Sequence, residues 1–157
     1  MVSNEKKAVA LFAEGFSCSQ SVLAAHAQQL NVPLETALRL SAAFGGGMGR
    51  HGEVCGAATG ALMVLGLVSG HTTADDKEGK ERTYQLANHF LQEFTSRNGA
   101  LNCPELLGCR IDTPEGQAQA REQALFSTIC PRFVAGASKI LAEMLSEYPL
   151  PGDSELS

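Results

Sequence analysis

Apolar residues recur along most of this chain every three or four positions, the period of an amphipathic helix, and no segment alternates as a half-buried strand would. Ala8, Leu11 and Phe12 predict a first helix ending at Gly15. A second runs from about Cys18 to Leu30 with Val22, Leu23, Ala27 and Leu30 inward. Pro33 starts a third, carrying Leu34, Ala37, Leu38, Ser41 and Phe44 at helical spacing. The fourth, from about Cys55 to Gly70, is apolar on every side and reads as a core helix. Thr73 with Asp76 resembles a capping box for a long fifth helix, which places Tyr84, Ala87, Leu91 and Phe94 on one face and ends at Asn98-Gly99. A short turn follows Cys103 and closes at Leu106, Leu107 and Gly108. A sixth helix covers about Gln117 to Thr128. The seventh opens at Cys130-Pro131 and shows Phe133, Ala137, Ile140, Leu141, Met144 and Tyr148. The expectation is an all-α, single-domain bundle of about six or seven helices around a buried central helix. The cysteine-containing domain covers residues 1–148, and a polar tail, 149–157, frays beyond it.

Composition narrows the function classes. The 157 residues suit one domain with a sizeable core. A formal net charge of −5, with no Lys/Arg cluster longer than Lys6-Lys7, excludes a nucleic-acid footprint. The most apolar segment, Ala57 to Val68, is too short to cross a bilayer, so the chain is expected not to span a membrane. The first residues lead into an amphipathic stretch rather than a secretory signal. A cytoplasmic location follows, where thiols stay reduced, and the five cysteines then point to metal or redox work rather than to staples.

Four of those cysteines stand where a helix begins. Cys103 and Cys130 each precede a proline, which favours the first helical position, so each reads as an N-cap. Cys55 and Cys18 open apolar helical runs. The unpaired N–H groups and partial positive charge of a helix start favour thiolate, the species that binds metals and attacks disulfides. No Cys-x-x-Cys pair is present, so a shared site can only be assembled by the tertiary fold. If the helix starts converge, Cys18, Cys55, Cys103 and Cys130 are candidate ligands for an iron–sulfur cluster, zinc or another soft metal. The alternative role for each is that of a small buried hydrophobe. Buried thiols at helix ends are also compatible with a homo-oligomer interface.

Five glycines fall within Gly45-Gly46-Gly47-Met48-Gly49-Arg50-His51-Gly52, which cannot hold the interior of an ordinary helix or strand. This segment lacks the Lys-Ser/Thr of a phosphate-binding loop. Gly45, Gly46, Gly47, Gly49 and Gly56 are candidates for close backbone approach to a cofactor or substrate near Cys55, or for a tight helix crossover. Arg50 and His51 are candidates to supply charge or a proton there, with Cys55 as nucleophile. His26, His71 and His89 have no ligand-like spacing and read as surface or packing residues.

The segments Phe44 to Gly49 and Cys55-Gly56-Ala57-Ala58-Thr59-Gly60 resemble the core motif of a bacterial and archaeal family named for a Cys, Cys-Gly-Ala-x-x-Gly, Cys, Cys pattern and regarded as redox-active. Gly15 to Gln20, Cys103 to Gly108 and Cys130 to Val134 resemble its other cysteine regions. The resemblance implies that the family's four cysteines fall on Cys18, Cys55, Cys103 and Cys130, with Cys109 extra. Related domains are associated with haem, but this chain has no Cys-x-x-Cys-His motif, so no covalent haem is expected. Three functions compete: a metal or iron–sulfur electron-transfer protein, a thiol–disulfide oxidoreductase or reductase with Cys55 as nucleophile, and a non-redox helical module with structural zinc or buried cysteines. The sequence identifies neither the electron partner nor the small molecule.

Overall fold

The local signals at each helix boundary account for where the chain turns. In a computed structural model that describes residues 1–148, Ser3 caps α1 (Asn4–Glu14) by accepting from the Lys6 amide, and Gly15, at φ 111°, ends it. Ser17 and Gln20 form a reciprocal capping box on α2 (Cys18–Ala27). Then come α3 (Leu34–Ser41), α4 (Gly56–Ser69), α5 (Lys77–Asn98), α6 (Cys103–Leu107), α7 (Pro114–Glu122) and α8 (Cys130–Leu145). The described residues contain no strand beyond one isolated antiparallel bridge, Val54 with Asn102, and the expected all-α bundle is the fold. The 149–157 tail lies outside the described residues.

Two helices, rather than one, form the buried centre. Nearly all of α2 is buried, from Ser19 to Ala27 with Gln20 only partly so, and it lies against the small-residue face of α4. Gly56 and Gly60 stand one helical turn apart on that face. A Cβ added at Gly60 would lie 2.7 Å from the Ser19 carbonyl oxygen, and one at Gly56 would lie 3.2 Å from Cys18 Cβ. The two backbones therefore touch, with no side chain between them. Ser19 Oγ then donates to the Ser41 carbonyl at 2.8 Å, and Gln20 Nε2 donates to the Leu38 carbonyl at 3.0 Å, which ties α2 to α3 as well. Both bonds satisfy polar groups that close packing would otherwise leave without water.

Helix α8 covers this pair with Phe133, Val134, Ala137, Ile140 and Leu141, all buried. Phe90 and Phe94 of α5 are fully buried, and Phe94 packs beside Phe133 with ring centroids 6.3 Å apart. Each of the two α5 rings contributes about 2 kcal/mol through removal from water. The stretch Leu125–Leu145 is long and apolar enough to cross a membrane by length and composition alone, with mean hydropathy 1.2, but its apolar residues are the ones that build this core.

Several sequence expectations shift at the boundaries. Tyr84 is 55% exposed rather than inward, and the α5 core face is instead carried by Phe90 and Phe94. Asp76, not Thr73, caps α5, accepting from the Gly79 amide at 2.9 Å. The second helix stops at Ala27, and Asn31 turns the chain at φ 55°. The sixth divides into α7 and a single turn, Leu125–Thr128, because Ala124 adopts φ 53°. His26, read as a surface or packing residue, is buried and donates from Nδ1 to the Val22 carbonyl at 2.9 Å; burial holds its pKa below the usual histidine value.

The α2–α4 contact makes a paired prediction. Replacing Gly60 by Ala gains about 1 kcal/mol of helix propensity but forces a methyl group into the Ser19 backbone, so a net loss of about 1–2 kcal/mol is expected in denaturant unfolding. Gly66→Ala, where nothing lies within 4 Å of the new Cβ, should be neutral or stabilising by about 0.5–1 kcal/mol. Equal effects at the two sites would contradict the packing.

Candidate redox centre

The starts of α2, α4, α6 and α8 meet at one end of the bundle, and each delivers a cysteine to the lining of one cavity of roughly 570 Å³. Cys18, Cys55, Cys103 and Cys130 all face it. The register at the helix starts differs by one residue from the sequence expectation. Only Cys55 is an N-cap; Cys103 and Cys130 are the first helical residues, capped by Asn102 and Ile129, so their prolines stand one position later than expected.

Distinct local devices seat the thiols. The capping box at Ser17 fixes the first turn of α2 and with it Cys18, and the missing side chain of Gly56 lets Cys18 approach α4. The antiparallel bridge aligns the two helix starts that carry Cys55 and Cys103. The Cys55 amide donates to the Leu101 carbonyl at 2.9 Å, and the Cys103 amide donates to the Glu53 carbonyl at 3.0 Å. Cys130 arrives on α8, whose Phe133 also lines the cavity.

The thiols are close enough to act on one another, Cys130 and Cys55 on Cys18, and Cys103 and Cys18 on Cys55. Their acidities separate as a result. Cys55 falls well below the ordinary thiol range, first because Cys103 and then Cys18 donate to it, and further because the Ala57 and Ala58 amides of α4 point at its sulfur. Those amides act as aligned dipoles and do not close a full capping hydrogen bond. Cys18 is raised by its bonds to Cys130 and Cys55 and then by burial; Cys103 is raised by its bond to Cys55 and then by burial. Cys55 is thus the more readily ionised thiol, beside Cys18 and Cys103, which hold their protons more tightly. All five cysteines are free. Cys109 takes no part, since its S–H donates to the Gly116 carbonyl at 3.0 Å, between α6 and α7.

The glycine-rich segment forms a structure that sequence reasoning missed. Gly46, Gly47, Met48, Gly49 and Arg50 all have φ between 64° and 68°, and a helical turn of left-handed sense results. The Gly49 amide bonds the Gly45 carbonyl at 2.9 Å, and the Glu53 amide bonds the Gly47 carbonyl at 3.0 Å. A left-handed turn costs about 1 kcal/mol or more at each residue with a side chain, which explains the glycines; Met48 and Arg50 carry the strain. At Gly47 a Cβ would lie 2.6 Å from the Glu53 backbone, and at Gly45 2.6 Å from Ser17 Cβ. The turn is therefore pressed against the entrance to both α2 and α4. Gly45, Gly46 and Gly49 line the cavity; Gly47 and Gly56 serve chain-to-chain approach instead.

Arg50 lines the cavity, whereas His51 is exposed and is not part of its lining. The leading causes that lower Cys55 are thiols and amides, not Arg50 or His51. Arg121 of α7, which the sequence reading did not single out, also lines the cavity. Its only sequence signal is a cation in the last turn of a helix, a position ordinary enough to hide it.

With this geometry in hand, the class is defined: residues 16–144 match the model of the family described as "Putative redox-active protein (C_GCAxxG_C_C)". The chain belongs to that family of redox-active proteins, and the match contains all four cavity cysteines. No curated protein and no solved structure matches it.

The chemistry of the donor set bears on a metal. Four soft sulfur donors face one space, as a soft-metal centre requires. Yet among the described residues no three His, Cys, Asp or Glu side chains form a group that could hold a metal ion.

Alkylation by iodoacetamide, quenched across a pH series, should label Cys55 before the other three thiols and with a midpoint below the usual thiol pKa of about 8.5. Cys103→Ala removes the neighbour that lowers Cys55 most, and the midpoint should move up. A midpoint that stays in place would remove the Cys103 bond from the account.

Proposed function

We propose that the protein is a thiol–disulfide oxidoreductase in which Cys55 is the nucleophile and Cys103 the resolving thiol. The observation that carries this reading is geometric: the Val54–Asn102 bridge brings the helix starts of Cys55 and Cys103 together at the wall of an open cavity, and there the Cys55 thiol is lowered and that of Cys103 raised. The Cys55 thiolate attacks one sulfur of a substrate disulfide. A Cys55–substrate bond forms, the substrate S–S bond breaks, and one substrate thiolate leaves. Cys103 gives its proton to that departing thiolate and attacks Cys55. A Cys55–Cys103 disulfide forms and the second substrate thiolate leaves, so two electrons pass from the protein dithiol to the substrate. The antiparallel bridge supports this pairing, because it keeps the two helix starts in register while the sulfurs move. The separation of acidities also suits the order of events, since Cys103 becomes a nucleophile only once Cys55 has been consumed and its charge removed.

Oxidation of the metal-free protein with one equivalent of a mild oxidant, followed by peptide mapping, should find a Cys55–Cys103 disulfide that dithiothreitol reverses and that is lost in Cys55→Ser. Absence of any intramolecular disulfide, or one that leaves out Cys55, sinks the proposal.

A second reading, a metal or iron–sulfur electron-transfer centre held by Cys18, Cys55, Cys103 and Cys130, is favoured by one observation: thiols from four separate helix starts face the same cavity. Bound there, such a centre would supply one-electron chemistry, and the α4 amides aimed at Cys55 would stabilise its sulfur. Protein purified without oxygen should then carry iron with acid-labile sulfide, or zinc, in fixed stoichiometry, and each single Cys→Ser variant should lower it. Metal-free protein with the full set of titratable thiols would eliminate this second reading.

A further inference from the structure

The cavity in front of Cys55 carries a charge opposite to that of the chain. The protein as a whole has a formal net charge of −5, yet among the described residues the charged side chains that line the cavity beside its four cysteines are Arg50 and Arg121, and no carboxylate does. Arg39, Arg97 and Arg110 each have an acidic partner; of the arginines that no ion pair joins to a carboxylate among the described residues, Arg50 and Arg121 line the cavity, whereas Arg82 and Arg132 do not. The polar side chains beside them are largely engaged: Gln20 donates to the Leu38 carbonyl and accepts from the Ser17 amide, and Gln117 donates to the Ile111 carbonyl at 2.9 Å. The two guanidinium groups are the free polar recognition elements of the wall.

Arg50 is held there at a cost. It lies in the left-handed region at φ 68°, a conformation that disfavours a side chain. Its neighbour Gly46 makes room for it, since a Cβ at Gly46 would lie 2.9 Å from Arg50 Cγ. Arg121 comes from the last turn of α7, on another element. The wall also carries Phe12, Phe126 and Phe133, so the space offers apolar surface as well as positive charge.

We infer that the substrate is a small disulfide bearing carboxylate groups, bound by Arg50 and Arg121 with its apolar body against the phenylalanines and its sulfurs toward Cys55. This inference rests on the thiol–disulfide reading and names its substrate class. Arg50 and Arg121 are both exposed at the mouth of the cavity, where a ligand can reach them, and guanidinium groups bind carboxylate through paired, charge-assisted hydrogen bonds. They also offset the repulsion between a dianionic disulfide and the Cys55 thiolate, which would otherwise favour a cationic partner. Atoms and electrons balance as in the exchange above: the disulfide takes two electrons, and the protein ends with the Cys55–Cys103 bond.

The test uses the full chain, reduced and metal-free, in single-turnover reactions with two aliphatic disulfides of similar size and opposite charge: dithiodipropionate, a dianion, and cystamine, a dication. Quenched samples are analysed by mass spectrometry, and the readout is the ratio of the two rate constants, in which any general damage to the site cancels. The native protein should favour the dianion by about tenfold or more. In Arg121→Glu the ratio should fall and invert. In Arg50→Gln it should fall by several-fold, and Arg50→Lys should restore part of it. A ratio that neither variant moves, with exchange still running, overturns the inference and leaves the oxidoreductase reading standing. No exchange with either disulfide in the native protein overturns the oxidoreductase reading itself.

Discussion

Everything at the cysteine end of this bundle depends on how closely α2 and α4 approach one another. The glycines at 56 and 60 let the α4 backbone come into contact with Cys18 and Ser19, and a methyl group at either position would push the helices apart by a few tenths of an ångström or more. Helices in ordinary soluble bundles keep their axes 8–10 Å apart because side chains stand between them. Here the separation is set by glycine against serine. Interdigitated small residues pack without rotamer strain, and the Ser19 hydroxyl is satisfied by the Ser41 carbonyl. The Cys-Gly-Ala-x-x-Gly motif thus places a thiol and also determines how near a second thiol can come to it.

That proximity explains the chemistry better than any single cysteine could. An isolated helix-start thiol is lowered by dipoles alone, but Cys55 has two neighbouring S–H groups aimed at it in addition. The same hydrogen bonds that stabilise its thiolate hold Cys103 and Cys18 protonated, because closely spaced thiols cannot all carry charge in a buried site. One nucleophile among reserves is the outcome. Around it, the left-handed turn carries out two tasks with one set of residues: its glycines bring the chain back to start α4, and its strained Arg50 faces the cavity. Strain of this kind persists only where the surrounding packing over-determines it, and the contacts of Gly45 with Ser17 and of Gly47 with Glu53 supply that packing.

The helical period alone determined the fold class, the inward faces of α2 and α8, and the approximate starts of the helices that carry cysteines. Ile140 and Leu141 lie on the one apolar face of α8, so pattern and burial agree there; Val22, Leu23 and Ala27 are buried as read, but with nearly all of α2 around them. The pattern erred where two apolar faces compete, as on α5. There Tyr84 and Phe94 share a stripe, and only packing against Phe133 decided that the Phe90–Phe94 side turns inward. It also erred at caps, where one-residue shifts cost little and long-range contacts decide them. The glycine run was legible as a break, but its left-handed sense was not, because glycine adopts either hand with equal ease.

Which residues meet is a different kind of fact. Cys18, Cys55, Cys103 and Cys130 are separated by tens of residues, and no local rule brings them together. The α2–α4 contact, the Val54–Asn102 bridge and the packing of α8 across the bundle, all between segments remote in sequence, did so. The same holds for what was assigned to the site and what was passed over. Arg50 and His51 are adjacent in sequence, but only Arg50 lines the cavity, while Arg121 reaches it from another helix. Sequence by itself determined the residue types and the helices that carry them, since those depend on neighbours three or four positions away. The tertiary structure alone decided their convergence, and with it which thiol carries the charge, because electrostatic and hydrogen-bond energies depend on distances through space that chain order does not encode.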